Sequence, residues 1–276
     1  MFAPEYWGTA ERFSKLYQHS YAFRGAEQRA VSGVCAHFDK AITLRSLAEK
    51  LAPNLDLDEA EFAEKGFTPA ANSRELSAVV EAVILELYAV VDCTAQVLKA
   101  AYPSVRGFKK SVRGLFSDFE KFGEGFPESL KDALRAVTWY DELRFLRDEL
   151  THLTPGACHR DRDRRIVSYM HPGIMRGDRA LILDDIFAWV DAAIANVNGF
   201  TGLVFAHLNT TLKPTPVQQI CGVFAFRIFM RAVNPTEPLT FNSGTCISHQ
   251  WFELPENPSC PFAPDCGAYA RRGQQP

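Results

Sequence analysis

The chain has 276 residues, of which 47% are hydrophobic and 23% charged, enough apolar material for a packed core and too much for a disordered polypeptide. The formal net charge of -3 rules out a uniformly polybasic nucleic-acid binder, so any contact with RNA or DNA has to use a local patch. No stretch approaches the ~20 apolar residues of a membrane span, and the best run, 220–230, is short and carries Arg227.

Residues 9–52 read as two helices with a break near Arg24 and Gly25. Residues 53–73 read as a loop in which Asp56, Asp58, Glu59 and Glu61 form a solvated turn or short helix. Ser73 is placed to cap a strong helix running from Arg74 to about Tyr102 and stopping at Pro103, as serine does at helix starts. Val79, Val80, Val83, Ile84, Leu87, Val90, Val91 and Val97 make that helix apolar over a broad face, the mark of a core helix. Residues 103–127 connect it to the next, with Lys109, Lys110 and Arg113 interleaved among Phe108, Val112, Leu115 and Phe116 as a short basic amphipathic helix. A second strong helix is predicted over 128–153, where Leu143, Leu146, Leu150 and Leu153 repeat at steps of three and four to make one buried stripe. Residues 166–171 and 180–183 read as two short strands of a hairpin. Asp184 or Asp185 caps a third long helix reaching about Leu212, residues 217–233 read as one more helix, and the remainder is rich in Pro, Cys and aromatics and is expected to be irregular.

The second strong helix carries the chemistry. Its end reads LRFLRDELTHL, with Arg147, Asp148 and His152. At ~100° per residue, Asp148 and His152 share a face one turn apart, opposite the leucines. Arg147 flanks the stripe, and its long side chain can swing outward. The plain alternative is a solvated helix face, with Arg144 and Asp148 as an ordinary i,i+4 charge pair.

This segment resembles the R-x4–6-H motif of the HEPN superfamily, in the form with a polar residue directly after the arginine. The order of elements over residues 73–212 resembles that family too: an apolar helix bearing acidic residues, then the motif helix, a loop and another long helix. Thr154 departs from the extended motif, which carries a tyrosine at that position in some members. The resemblance implies an all-α HEPN-like helical bundle, here with a small β-hairpin insertion and an irregular C-terminal tail. It implies a homodimer joined through the motif helices and a metal-independent endoribonuclease in which RNA supplies its own 2′-OH nucleophile. His152 would remove the proton, Arg147 would stabilise the charge on phosphorus through its planar fork, and Asp148 would orient one of them. A toxin or defence effector with an antitoxin protein as partner belongs to the same expectation. The rival expectation is a non-catalytic module that binds RNA, nucleotide or a partner protein. Glu81, Glu86 and Asp92 of the preceding helix are candidates to face the same cleft.

Around this centre, Lys109, Lys110, Arg113, Arg144 and Arg160 are the candidates for holding substrate phosphates, although Asp161 and Asp163 cancel part of the charge run 160–165. Catalysis is expected to need no cofactor. Cys246, His249, Cys260 and Cys266 form a C-x2-H-x10-C-x5-C pattern in the tail, a donor set suited to structural zinc. The seven cysteines are an odd number, and Cys35, Cys93 and Cys221 lie in apolar segments, which points to reduced thiols. With no basic stretch followed by an apolar run in MFAPEYWGTAERF, the expectation is a cytoplasmic protein. The organisation read from the chain is an N-terminal helical extension (1–72), a HEPN-like helical core (73–215) and a C-terminal helix with a Cys/His/Pro-rich tail (216–276).

Overall fold

The computed structural model describes residues 6–108, 112–161, 164–176, 179–224 and 226–273. Its helices in chain order are α1 (Tyr6–Leu16), α2 (Ala26–Leu51), α3 (Leu55–Lys65), α4 (Ala71–Ala101), α5 (Val112–Asp118), α6 (Glu128–Arg135), α7 (Tyr140–His152), α8 (Ile186–Thr210), α9 (His249–Phe252) and α10 (Gly267–Ala270). Its strands are β1 (Ala157–Asp161), β2 (Ile166–Arg176), β3 (Arg179–Leu183), β4 (Val217–Phe224), β5 (Arg227–Val233) and β6 (Thr245–Cys246). They form two antiparallel three-stranded sheets, β1-β2-β3 and β4-β5-β6. The fold is therefore mixed α and β, which overturns the expected all-α bundle with a single hairpin and an irregular tail.

Two segments account for the difference. Residues 217–233, expected as a helix, are the β4–β5 hairpin. Along the first half of β4, Val217 and Gln219 are buried while Gln218 and Ile220 are exposed, a two-residue period that no helix satisfies. The hairpin at 166–183 gains a third strand because residues 157–161, the chain leading into the charge run, pair with β2, Cys158 opposite Tyr169 and Arg160 opposite Val167.

The chain divides into two compact units, residues 26–201 and residues 1–25 with 202–276. In the larger, α2 and α4 form the main helix pair. Their seam is close because Gly33 faces Cys93: a Cβ there would come 2.8 Å from the sulfur. Helix α4 buries Val80, Val83, Ile84, Leu87, Val90, Val91, Val97 and Leu98, each contributing roughly 1.5–3 kcal/mol of apolar burial. Arg45 of α2 grips Asp191 of α8 through two bonds of 2.7 and 2.9 Å.

The start of α4 is built differently from the sequence expectation. Ala70 occupies the N-cap with φ 50° and no side-chain bond. Asp58 of α3 supplies the cap instead, accepting from the Asn72 amide side chain at 2.7 Å and the Ser73 backbone N–H at 2.8 Å. Ser73 is occupied elsewhere, donating to the Cys158 carbonyl at 2.6 Å, and the Ser77 hydroxyl accepts from the Cys158 N–H at 2.8 Å. Ser73, Ser77 and Glu81, at four-residue steps, thus form a polar edge on which β1 and the chain leading into it dock.

The smaller unit packs Phe13 against Tyr17, Tyr21, Phe23 and Phe205. Thr9 and Asn209 tie α1 to the last turns of α8. Its sheet runs antiparallel from Val217↔Val233 to Phe224↔Arg227, with a bulge between Ile220 and Gly222, and β6 adds Cys246 opposite Arg231.

Candidate functional site

The predicted helix over 128–153 is two helices. Helix α6 ends at Arg135, and residues 136–139 make tight turns before α7 begins at Tyr140. Val137 and Thr138 are β-branched, which lowers helix propensity there. Trp139 then sets its ring against Phe200 at 6.4 Å. In α7, Leu143 and Leu146 are buried, but the stripe frays: Leu150 is half-buried and Leu153 is 70% exposed.

The polar face of α7 is organised around Asp148. One of its carboxylate oxygens accepts from Arg147 at 2.8 Å and the other from Arg144 at 3.1 Å. The Arg147 guanidinium also lies over the Tyr88 ring of α4 at 4.6 Å, a cation–π arrangement. The Tyr88 hydroxyl is 3.5 Å from that of Tyr140, whose phenol is pushed up by burial and then by Tyr88. Asp148 and Tyr88 therefore hold the partly exposed Arg147 from two sides. His152 is the last residue of α7, one turn beyond Asp148, and is exposed.

The turn after His152 is pinned. His171 is fully buried, and its Nε2 is 2.7 Å from the Thr154 carbonyl. The Gly173 N–H donates to Nδ1 at 3.2 Å, which makes Nε2 the donor. Two residues on, the Gly156 N–H donates to Glu81 at 2.7 Å, and the Tyr169 hydroxyl donates to the same oxygen at 2.8 Å. Burial and then the Glu81 charge push the Tyr169 phenol up, so it stays a donor. Gly156 is required by space: a Cβ there would overlap the Tyr169 ring and come 2.6 Å from the Met170 carbonyl.

Of the three acidic residues singled out on α4, Glu81 alone faces this end of α7. Glu86 turns to α2, where His37 and Lys40 each approach at 2.6 Å. Burial raises its pKa, but those two partners outweigh burial and hold it below the usual glutamate value. Asp92 accepts from Gln96 on its own helix.

The substrate-binding candidates are scattered. Arg144 is mostly buried, stacks over Phe145 at 4.5 Å and is committed to Asp148. Arg160 leans on Asp56 at 3.4 Å. Arg113 is exposed on α5, and Lys109 and Lys110 lie outside the described residues. In the tail, Cys246, Cys260 and Cys266 border a common cavity, while His249 has its Nδ1 3.2 Å from Glu253. Among the described residues, no three His, Cys, Asp or Glu side chains are gathered at one point where an ion could sit, and no helix is long and apolar enough to cross a membrane.

Sequence reasoning singled out Glu81 only as one of three acidic candidates for the cleft, and missed His171 and Tyr169 as supports of the α7 terminus. The only local signal was the pairing of Glu81 with Ser73 and Ser77 at four-residue spacing. The chain matches no protein-family model, no curated protein and no solved structure.

Proposed function

We propose that the C-terminal end of α7 is a metal-independent RNA-cleaving site of the HEPN type, completed when two copies of the chain face each other through this helix. The observation that carries this reading is the triad geometry on one helix: Asp148 fixes the Arg147 guanidinium at 2.8 Å and stands one turn from an exposed imidazole at His152. A guanidinium held by a carboxylate and an aromatic ring is preorganised to meet a phosphate without losing much side-chain freedom. An exposed histidine has its ordinary use near neutral pH as a proton carrier.

In the reaction, His152 takes the proton of the ribose 2′-OH, the 2′ oxygen forms a bond to phosphorus, and the bond to the 5′ oxygen breaks. The imidazolium of the second copy returns a proton to the departing 5′ oxygen. The products are a 2′,3′-cyclic phosphate and a 5′-OH, and no electrons change hands. Arg147 opposes the charge that gathers on the phosphoryl oxygens.

A second reading has its own support. Arg147 is already engaged by both Asp148 and Tyr88, an arrangement that also suits an RNA-holding module without turnover. The two separate in one experiment. Cleavage of a mixed RNA pool is measured in EDTA for the wild type and for His152→Ala. The expected loss is about 10²–10⁴-fold, the usual share of a general base, with RNA affinity largely kept. RNA binding with no cleavage by the wild type selects the second reading. Cleavage by His152→Ala at the wild-type rate refutes the catalytic role.

A further inference from the structure

The cavity of the smaller unit has a volume of about 140 Å³, close to the ~150 Å³ of an apolar protein cavity that takes up benzene. Its buried walls include Phe229 of β5, Phe252 of α9 and Ala268 of α10. Val223 of β4 and Phe262 also line it and are 70% and 50% exposed, so they mark the side that meets solvent. Cys221 of β4 joins Cys246, Cys260 and Cys266 in the wall. It lies 25 residues ahead of Cys246 and reaches the same cavity only because β4 and β5 form a hairpin. Neutral thiols act there as small, weakly polar wall groups.

One strong charge stands among these walls. Arg231 is 5% exposed and lines the cavity. It lies two residues from Phe229 on β5, so both side chains project to the same face of the sheet, the face that the cavity covers. Its Nη1 donates to the carbonyls of Phe241 and Ser243 at 2.6 and 3.1 Å, and its guanidinium lies 5.7 Å from the centre of the Phe241 ring. Its Nε is buried with no hydrogen-bond partner among the described residues. In the sheet register Arg231 stands between Gln219 of β4, whose amide donates to the Lys15 carbonyl at 2.6 Å, and Cys246 of β6. Among the described residues no Asp or Glu side chain borders the cavity. A buried guanidinium with an unmet donor and no anion beside it is costly.

We propose that this cavity is a binding site for a small apolar carboxylic acid, one aromatic ring in size, with Arg231 as its anchor. The carboxylate supplies the anion that the guanidinium lacks, through charge-assisted hydrogen bonds. The ring of the ligand fills the space against Phe229 and Phe252, as apolar walls with a single fixing charge do in small-molecule sites. Because Arg231 also holds the carbonyls of Phe241 and Ser243, an occupied site stiffens the segment between β5 and β6. This proposal is independent of the reaction assigned to α7.

The test uses the reduced full-length chain with benzoate and its uncharged analogue benzamide as probes, titrated by calorimetry. Benzoate is expected to bind once per chain, and benzamide about 10–100-fold more weakly, the share of a charge-assisted hydrogen bond. The place of binding is read from alkylation by iodoacetamide, followed residue by residue by mass spectrometry. Benzoate should slow modification of Cys221 and Cys260, which are half-buried in the cavity wall, and leave Cys35 of α2 unchanged. Arg231→Met should bind the two probes equally. The wild-type comparison decides the question even if that variant folds poorly. Absence of benzoate binding at millimolar concentration overturns the proposal, as do equal affinities of the wild type for both probes. Benzoate binding that leaves Cys221 and Cys260 unprotected places the ligand elsewhere and overturns it as well.

Discussion

Gly156 shows how much a single missing side chain decides. In the sequence it completes Thr154-Pro155-Gly156 and reads as a helix terminator. In the structure its role is clearance, since the Tyr169 ring and the Met170 carbonyl occupy the volume a Cβ would need. Gly156→Ala is expected to lower stability by about 1–3 kcal/mol, the range for overpacking, seen as a lower midpoint in urea. Because Glu81 bonds the same backbone N–H, the variant should also disturb the turn after His152 and reduce RNA cleavage with every reactive group still present. An unchanged midpoint would mean that the Tyr169 ring yields without cost. Asp148 makes a related point: its chemistry depends on Arg144 as well as Arg147, since one carboxylate serves both guanidiniums.

At the level of elements, the start of α4 depends on a residue from another helix. Asp58 reads in the sequence as one of four solvated acids, yet it is buried and caps α4. Burial raises its pKa, but the bonds from Asn72 and Ser73 outweigh burial and hold the folded value below that of an ordinary aspartate. A carboxyl whose folded pKa is depressed contributes stability that is complete above its unfolded pKa and is lost as pH falls through the folded value. Asp58→Ala should therefore cost about 1–2 kcal/mol at neutral pH, and the gap from wild type should shrink as the pH drops below about 4. Urea unfolding at pH 7 and pH 3 checks this; a gap of equal size at both would remove the ionised cap from the account. The end of α7 depends in the same way on distant supports, since His171 on β2 and Glu81 on α4 fix the backbone that follows His152.

For the whole molecule, the proposed reaction needs two copies, because one chain presents one exposed imidazole at the end of α7. Cleavage per chain is accordingly expected to fall on dilution in step with dimer dissociation, followed by analytical ultracentrifugation and RNA turnover on the same samples. Turnover per chain that stays constant into the fully monomeric range would refute the facing-copy arrangement while leaving His152 itself open to test by substitution.

The sequence alone determined the long helices, because a repeat of three and four apolar positions is written locally and α2, α4 and α8 are each long enough to display it. It also determined the break at Gly25 and the placement of Arg147, Asp148 and His152 on one helix, and it narrowed the α8 cap to Asp184 or Asp185; the structure selects Asp185, whose carboxylate accepts from the Phe187 and Ala188 N–H groups. The tertiary structure decided what depends on partners far along the chain. The run 217–233 carries enough apolar residues to read as a helix, and only pairing across the hairpin makes it β4 and β5. The same pairing carries Cys221 to Cys246, and the docking of β1 on Ser73, Ser77 and Glu81 turns three apparently ordinary polar residues into the frame of the candidate site. Helical periodicity is a property of neighbours in sequence, whereas strand pairing and buried polar contacts belong to residues that meet only once the chain has folded.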